Sequence, residues 1–95
     1  MTYRVEFKET ALKEWKKLDP TIRGMFVKKL KKLQENPRVE KNKLREMSDC
    51  YKIKLRAAGY RLVYKVLDGV LVIEVIAVGI RERSSVYGAA KKRLE

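Results

Sequence analysis

The stretch Tyr51-Lys52-Ile53-Lys54-Leu55-Arg56-Ala57-Ala58-Gly59-Tyr60-Arg61-Leu62-Val63-Tyr64-Lys65 alternates apolar and basic residues on both sides of a small glycine-containing turn. Strand side chains alternate with period two, so the pattern predicts a β-hairpin with one apolar and one cationic face. Tyr51, Ile53 and Leu55 of the first strand, and Tyr60, Leu62, Tyr64 and Val66 of the second, take the apolar side. Lys52, Lys54, Arg56, Arg61 and Lys65 take the other, so five cations are expected to share one surface. Like charges held so close repel, and a polyanion is the natural occupant of such a face.

Composition points the same way. A chain of 95 residues is expected to form a single domain, residues 1–95, around one modest core. Its 24 Lys and Arg against 12 Asp and Glu give a net charge of +12, and 45% of its residues are apolar. Together these describe a folded basic protein rather than a disordered tail. Its partner should be negative: nucleic acid first, an acidic protein second, an anionic membrane surface third. One Cys forms no intramolecular disulfide, and the absence of His argues against a structural zinc site, so no metal or cofactor is expected. The N-terminus lacks a signal-peptide pattern, and the longest apolar run, Val70 to Ile80, contains Glu74 and is too short to span a bilayer. A cytoplasmic location is expected.

Upstream of the hairpin, Tyr3-Arg4-Val5-Glu6-Phe7-Lys8 alternates strictly and predicts a strand with Tyr3, Val5 and Phe7 facing the core. Thr10 is a candidate cap for a helix whose apolar stripe is Ala11, Leu12, Trp15 and Leu18, with Lys13, Glu14, Lys16 and Lys17 in solvent. Asp19-Pro20 ends that helix and starts a second, Asp19 as N-cap and Pro20 at the first helical position. Ile22, Phe26, Leu30 and Leu33 mark its buried face as far as Asn36-Pro37. Arg38 to Asp49 is charged and aperiodic, a loop or a short turn of helix pinned by Leu44 and Met47, whose Lys41, Lys43 and Arg45 extend the basic surface.

Downstream, Asp68-Gly69 reads as a two-residue turn and Val70 to Val78 as a central strand. Ser84 is placed to cap a short helix with Tyr87 in its first turn. The fold class is α+β, in the order β-α-α-β-β-β-α, with a helical hairpin and a C-terminal helix on a mostly antiparallel four-stranded sheet.

If the anion is RNA, the chemistry open to this chain is restricted. Without His, the usual acid–base pair of a ribonuclease is missing. Cleavage by RNA's own 2′-hydroxyl needs that oxygen deprotonated, the charge on pentavalent phosphorus stabilised and the leaving 5′-oxygen protonated. A Lys among other cations has its ammonium form disfavoured, which makes it a feasible general base. Arg61 and Arg81 suit the phosphate, because a guanidinium donates two aligned hydrogen bonds. A Tyr ring beside the cluster offers a stacking surface for an unpaired base.

Plainer roles compete with these. Lys52, Lys54 and Arg56 fit the solvated face of a strand. Tyr87 fits a helix residue packing on the sheet, and Arg81 and Arg83 fit a soluble loop. Trp15 reads as core, and Cys50 as a small hydrophobe, since nothing near it supplies a base.

Four groups of residues carry a family resemblance: Asn42-Lys43-Leu44-Arg45; Cys50-Tyr51-Lys52-Ile53-Lys54-Leu55-Arg56; Gly59-Tyr60-Arg61-Leu62-Val63-Tyr64; and Val78-Gly79 with Arg81-Glu82-Arg83-Ser84 and Val86-Tyr87. With Ala11-Leu12-Lys13-Glu14-Trp15 in the first helix, the chain closely resembles the RelE toxins of bacterial and archaeal toxin–antitoxin pairs along nearly its whole length. The Tyr-Arg-Leu-Val-Tyr motif by itself marks only the broader superfamily, which includes gyrase poisons. Ile80 stands where a basic residue is expected in close relatives.

The resemblance implies an mRNA interferase that enters the ribosomal A site and cuts the codon there through the 2′-hydroxyl, leaving a 2′,3′-cyclic phosphate. It makes Lys54 the general base, Lys52 a charge-stabilising partner, Arg61 a phosphate ligand and Arg81 the leaving-group donor, with Tyr87 stacked on a codon base. Lys43, Arg45, Arg56, Lys65 and Arg83 would bind RNA, ribosomal RNA included. The implied partners are the ribosome and an acidic, RelB-like antitoxin that neutralises the basic surface, with operator DNA bound only through the antitoxin complex. A same-fold toxin acting on gyrase and a non-catalytic RNA-binding module remain as alternatives.

Overall fold

The computed structural model describes residues 2–80 and 85–94. The elements come in the expected order: β1 (Arg4–Phe7), α1 (Glu9–Lys16), α2 (Pro20–Leu33), β2 (Cys50–Leu55), β3 (Tyr60–Leu67), β4 (Val72–Ile80) and α3 (Ser85–Leu94). Short 3₁₀ turns sit at Glu40–Asn42 and Asp68–Val70. The strands form one sheet in the order β1-β4-β3-β2, in which β1 runs parallel to β4 and the other two pairs are antiparallel.

The helices divide between the two faces of this sheet. On one face, Ala11, Leu18, Phe26 and Leu30 of the α1–α2 hairpin region pack on Tyr51, Ile53, Leu62, Tyr64, Ile73 and Val75. On the other, Val86 and Ala90 of α3 pack on Val63, Ile76 and Ala77, joined by Met47 and Cys50. This explains why β4 is rich in Val and Ile without a polar face: it is covered on both sides. A register shift between Val63 and Tyr64 leaves Ile76 unpaired against β3, a β-bulge. The extra residue lets the consecutive Ile76 and Ala77 both join the α3 side, while Val75 and Val78 pack on the other.

Asp19 caps α2 as expected, accepting from the Thr21 backbone N–H at 2.8 Å. Several local details differ from the sequence reading. Thr10 does not cap α1, since the helix starts at Glu9 with Lys8 at the N-cap and no side-chain cap bond. Leu12 is exposed, and Glu14 is not a solvent residue but binds Arg93 and the Val78 N–H. Asp68-Gly69 is not a two-residue turn: residues 68–71 separate the paired Leu67 and Val72, and Leu71 takes the left-handed conformation at φ 53°.

The long segment after α2 is held at both ends. The Tyr64 hydroxyl donates to the Pro37 carbonyl at 2.8 Å, and the Tyr64 ring stacks on Tyr51 at 5.6 Å between centroids. Arg38 donates to Asp68 at 2.6 Å and to the Tyr51 hydroxyl at 3.2 Å, and pairs with Asp49 at 3.1 Å. Leu44 and Met47 pin the middle by packing beneath α3, as expected. Among the described residues, no helix is long and apolar enough to cross a membrane.

Candidate functional site

The β2–β3 hairpin closes through Arg56–Gly59, where Gly59 at φ 72° donates its N–H to the Leu55 carbonyl at 2.8 Å. A side chain at that φ would be strained, so glycine fixes the turn and with it the register. The register sets Lys54 opposite Arg61, and Lys52 opposite Val63. Paired residues share a face, so Lys54 and Arg61 are side-by-side cations at the turn end of the hairpin, with Lys52 two residues along.

Arg61, expected on an open cationic face, is instead buried, with only 4% of it exposed. Its hydrogen bond within the described residues runs from Nη1 to its neighbour's carbonyl, that of Tyr60, at 3.1 Å. No carboxylate among the described residues pairs with it. Burying a guanidinium is costly unless its charge and donors are met. Across the strand pair it meets a further cation, Lys54.

Neighbouring cations act on Lys54. Its pKa is held below the ordinary lysine range, first by the charge of Lys52, then by a hydrogen bond that Lys52 donates to its neutral amine, by partial desolvation, and by the charges of Arg61 and Arg56. Lys54 therefore gives up its proton more readily than a surface lysine and becomes a better base near neutral pH.

Beside this cluster lies an open groove of about 490 Å³ between α2, the 3₁₀ turn at Glu40–Asn42 and the exposed edge of β2. Lys29, Lys32, Lys41, Lys52, Lys54 and Arg56 line it, with no carboxylate among the lining residues. Lys29 and Lys32 were not legible as part of a site, because on sequence they read as the polar face of α2. Their signal is the spacing of three, which puts both on one side of the helix.

The other expected residues distribute unevenly. Lys43 bridges to Tyr51 alongside β2, and Arg45 is exposed just after it, so both adjoin the cluster's strand. Arg56 lies in the turn rather than on the strand face. Lys65 does not join the cluster: it pairs with Cys50 and Glu74, four residues along β3 from Arg61, roughly 13 Å away. The single cationic face of five residues is thus not formed, because α3 covers the middle of that face and Lys65 lies beyond it. Cys50 is buried, and burial raises its thiol pKa, consistent with a packing role.

Tyr87 is half-buried and packs against the apolar cluster of Met47, Cys50, Val63, Ile76 and Ala77 beneath α3. Its neighbour Val86 sits over Gly79, the β4 partner of Arg61: a Cβ at Gly79 would lie 3.1 Å from Val86 Cγ2. Glycine there lets the first turn of α3 approach the strand ends that carry Arg61. Ile80, 52% exposed, ends β4 beside it. Arg81 and Arg83, and the capping role expected of Ser84, lie outside the described residues.

A family model described as the ParE toxin of the type II toxin–antitoxin system parDE matches residues 5–85. The protein named mRNA interferase toxin RelE of Escherichia coli K12 is 58% identical over 94 residues, 99% of each chain. The chain belongs to the RelE family of toxins. Solved structures agree along the whole length. The R81A/R83A mutant of E. coli toxin RelE in the free state superposes with a TM-score of 0.92 at 56% identity, covering 100% of both chains. The toxin in the intact E. coli RelBE toxin–antitoxin complex gives 0.82 at 58% identity, covering 85% of this chain and 99% of that one. The α+β class and element order inferred from the sequence are those of this family.

Proposed function

We propose that the chain is the toxin of a type II toxin–antitoxin pair and an endoribonuclease that cuts mRNA in the ribosomal A site. The observation that carries this reading is the buried Arg61 set against Lys54, whose proton is loosened by Lys52. The curated E. coli relative is named an mRNA interferase, which supports the same reaction class.

In this reading, neutral Lys54 takes the proton of the 2′-hydroxyl, the 2′-oxygen attacks phosphorus, and the bond to the 5′-oxygen breaks. The products are a 2′,3′-cyclic phosphate and a 5′-hydroxyl. Arg61 donates to the phosphate oxygens and, with Lys52, offsets the charge that grows on them. Arg81 supplies the proton or hydrogen bond to the leaving oxygen, and Tyr87 stacks on a codon base. Lys43, Arg45, Arg56 and Arg83 contact RNA around the cut. Lysine is a modest base and the set is incomplete without a held substrate, so the ribosome contributes by fixing the mRNA in a near-attack geometry.

The partner that silences the toxin is an acidic, RelB-like antitoxin, as charge complementarity with a chain of net charge +12 favours. Related toxins have been solved with RelB-type antitoxins. Operator DNA is reached through that complex, and the ribosomal substrate places the toxin in the cytoplasm.

Primer extension on mRNA in purified ribosome complexes with a vacant A site tests the reading. A cut within the A-site codon, carrying a 2′,3′-cyclic phosphate and absent on naked RNA, is expected. Absence of any cut by the folded protein would overturn it and turn attention to a protein target or to simple RNA binding.

A further inference from the structure

The central strand β4 is only partly covered on the side facing β1. Pairing with β1 runs from Val72 to Val75, and the Lys8 N–H closes it on the Val75 carbonyl at 3.0 Å. Beyond that point β4 continues to Ile80, and among the described residues no strand pairs with this side of it. Unpaired backbone groups at the edge of a buried strand are costly, so something must satisfy them.

Two side chains do so, one from each face of the sheet. Arg93 of α3 donates from Nη1 to the Ile76 carbonyl at 2.7 Å and to Glu14 Oε1 at 2.8 Å, and from Nη2 to Glu14 Oε2 at 3.2 Å. Glu14 Oε1, from α1, also accepts the Val78 N–H at 3.2 Å. The pair is partly shielded from water, with 22% of the Arg93 side chain and 34% of the Glu14 side chain exposed. A carboxylate and a guanidinium thus stand in for the missing ladder, and in doing so join α1 to α3 around the edge of the sheet.

We infer that Glu14 and Arg93 are positioning residues: the pair completes the β4 edge and fastens the C-terminal end of α3, which holds the turn of Val86 and Tyr87 at its other end over Gly79, the strand partner of Arg61. The part of this concerning Tyr87 rests on the proposed function. The backbone dictates the polarity of the clasp, since Ile76 offers an acceptor and Val78 a donor. An ordinary ion pair tolerates exchange of its partners, but this one does not. With Arg at 14 and Glu at 93, a cation would face the Val78 N–H and a carboxylate the Ile76 carbonyl.

Hydrogen exchange on the free, full-length protein tests the clasp directly. Arg93→Ala should speed exchange in α3 peptides about tenfold or more while leaving α2 peptides unchanged. The Glu14→Arg/Arg93→Glu exchange should not restore protection, whereas Glu14→Gln, which keeps an acceptor for Val78, should be milder. Unchanged α3 exchange in Arg93→Ala, or protection restored by the charge exchange, overturns the inference. A second arm reads ribosome-dependent cleavage. Arg93→Ala should slow the unmodified protein and add no further loss to Tyr87→Ala, whereas additive losses overturn the positioning role. If Tyr87→Ala itself cleaves normally, the role given to Tyr87 falls, and the exchange arm still decides the clasp.

Discussion

Arg61 faces Lys54 across the β2–β3 pair, a guanidinium with 4% of its surface exposed beside an ammonium whose proton is loosened by its neighbours. The pair ties the shape of the hairpin to its proposed chemistry. The same register that sends Ile53 and Leu62 into the core brings two cations together on the reverse face.

The pH dependence of cleavage should therefore depend on Lys52. Lys54 acts as a base only when neutral, so the rate should rise with pH through a midpoint below the ordinary lysine value of 10.5. The charge of Lys52 is the largest cause of that depression. Lys52→Ala should move the midpoint up, with a loss of about tenfold in rate at neutral pH for each unit moved. Single-turnover cleavage as a function of pH reads this, and much of the lost rate should return at high pH.

Acid should loosen the end of the molecule away from the hairpin turn. Asp68 accepts from Arg38 at 2.6 Å and from the Tyr3 hydroxyl at 2.6 Å, and these hydrogen bonds hold its pKa below the usual 3.8. A carboxyl with a depressed folded-state pKa stabilises above its unfolded value, and that stability is lost as pH falls through the folded value. Asp68→Asn should lower the thermal midpoint by a few degrees at neutral pH. The difference should vanish in strong acid, as thermal melts at both pH values would record.

Gly79→Ala should unseat the start of α3. The new methyl would meet Val86 Cγ2 at 3.1 Å, and a β-branched residue in a helix has little rotamer freedom to move away. A cost of about 1–2 kcal/mol is expected in urea unfolding. Val86→Ala should be less harmful in that background than in the unmodified protein.

Tyr64→Phe should cost about 1–2 kcal/mol, because it leaves the buried Pro37 carbonyl without its donor. The stacked Tyr51 ring and the core packing are untouched by this change, so the urea midpoint should shift without a change in slope.

The element order and the core-facing residues of the hairpin were legible because alternation is a local signal. Tyr51, Ile53, Leu55, Leu62 and Tyr64 are buried as their spacing requires, and Asp19-Pro20 breaks the helices where its chemistry says it should. What escaped depends on contacts distant in sequence. The position of α3 on the reverse face is set by Val63, Ile76 and Ala77, and the bulge that aligns the last two has no mark in a run of β-branched residues. Glu14 reads as one more charged position on a helix, and only the arrival of Arg93 and the Val78 N–H makes it structural. At the site, the types and spacing of Lys52, Lys54 and Arg61 were readable. The burial of Arg61 was not, since a cation on an alternating strand looks the same whether or not the rest of the chain covers it.

The most direct test of the central claim compares rate with affinity in Lys54→Ala. If Lys54 is the base, single-turnover cleavage in ribosome complexes should fall by about 100-fold or more, while ribosome affinity at fixed salt stays within about threefold. A fall of similar size in both would contradict the account and mark the cluster as a binding surface alone.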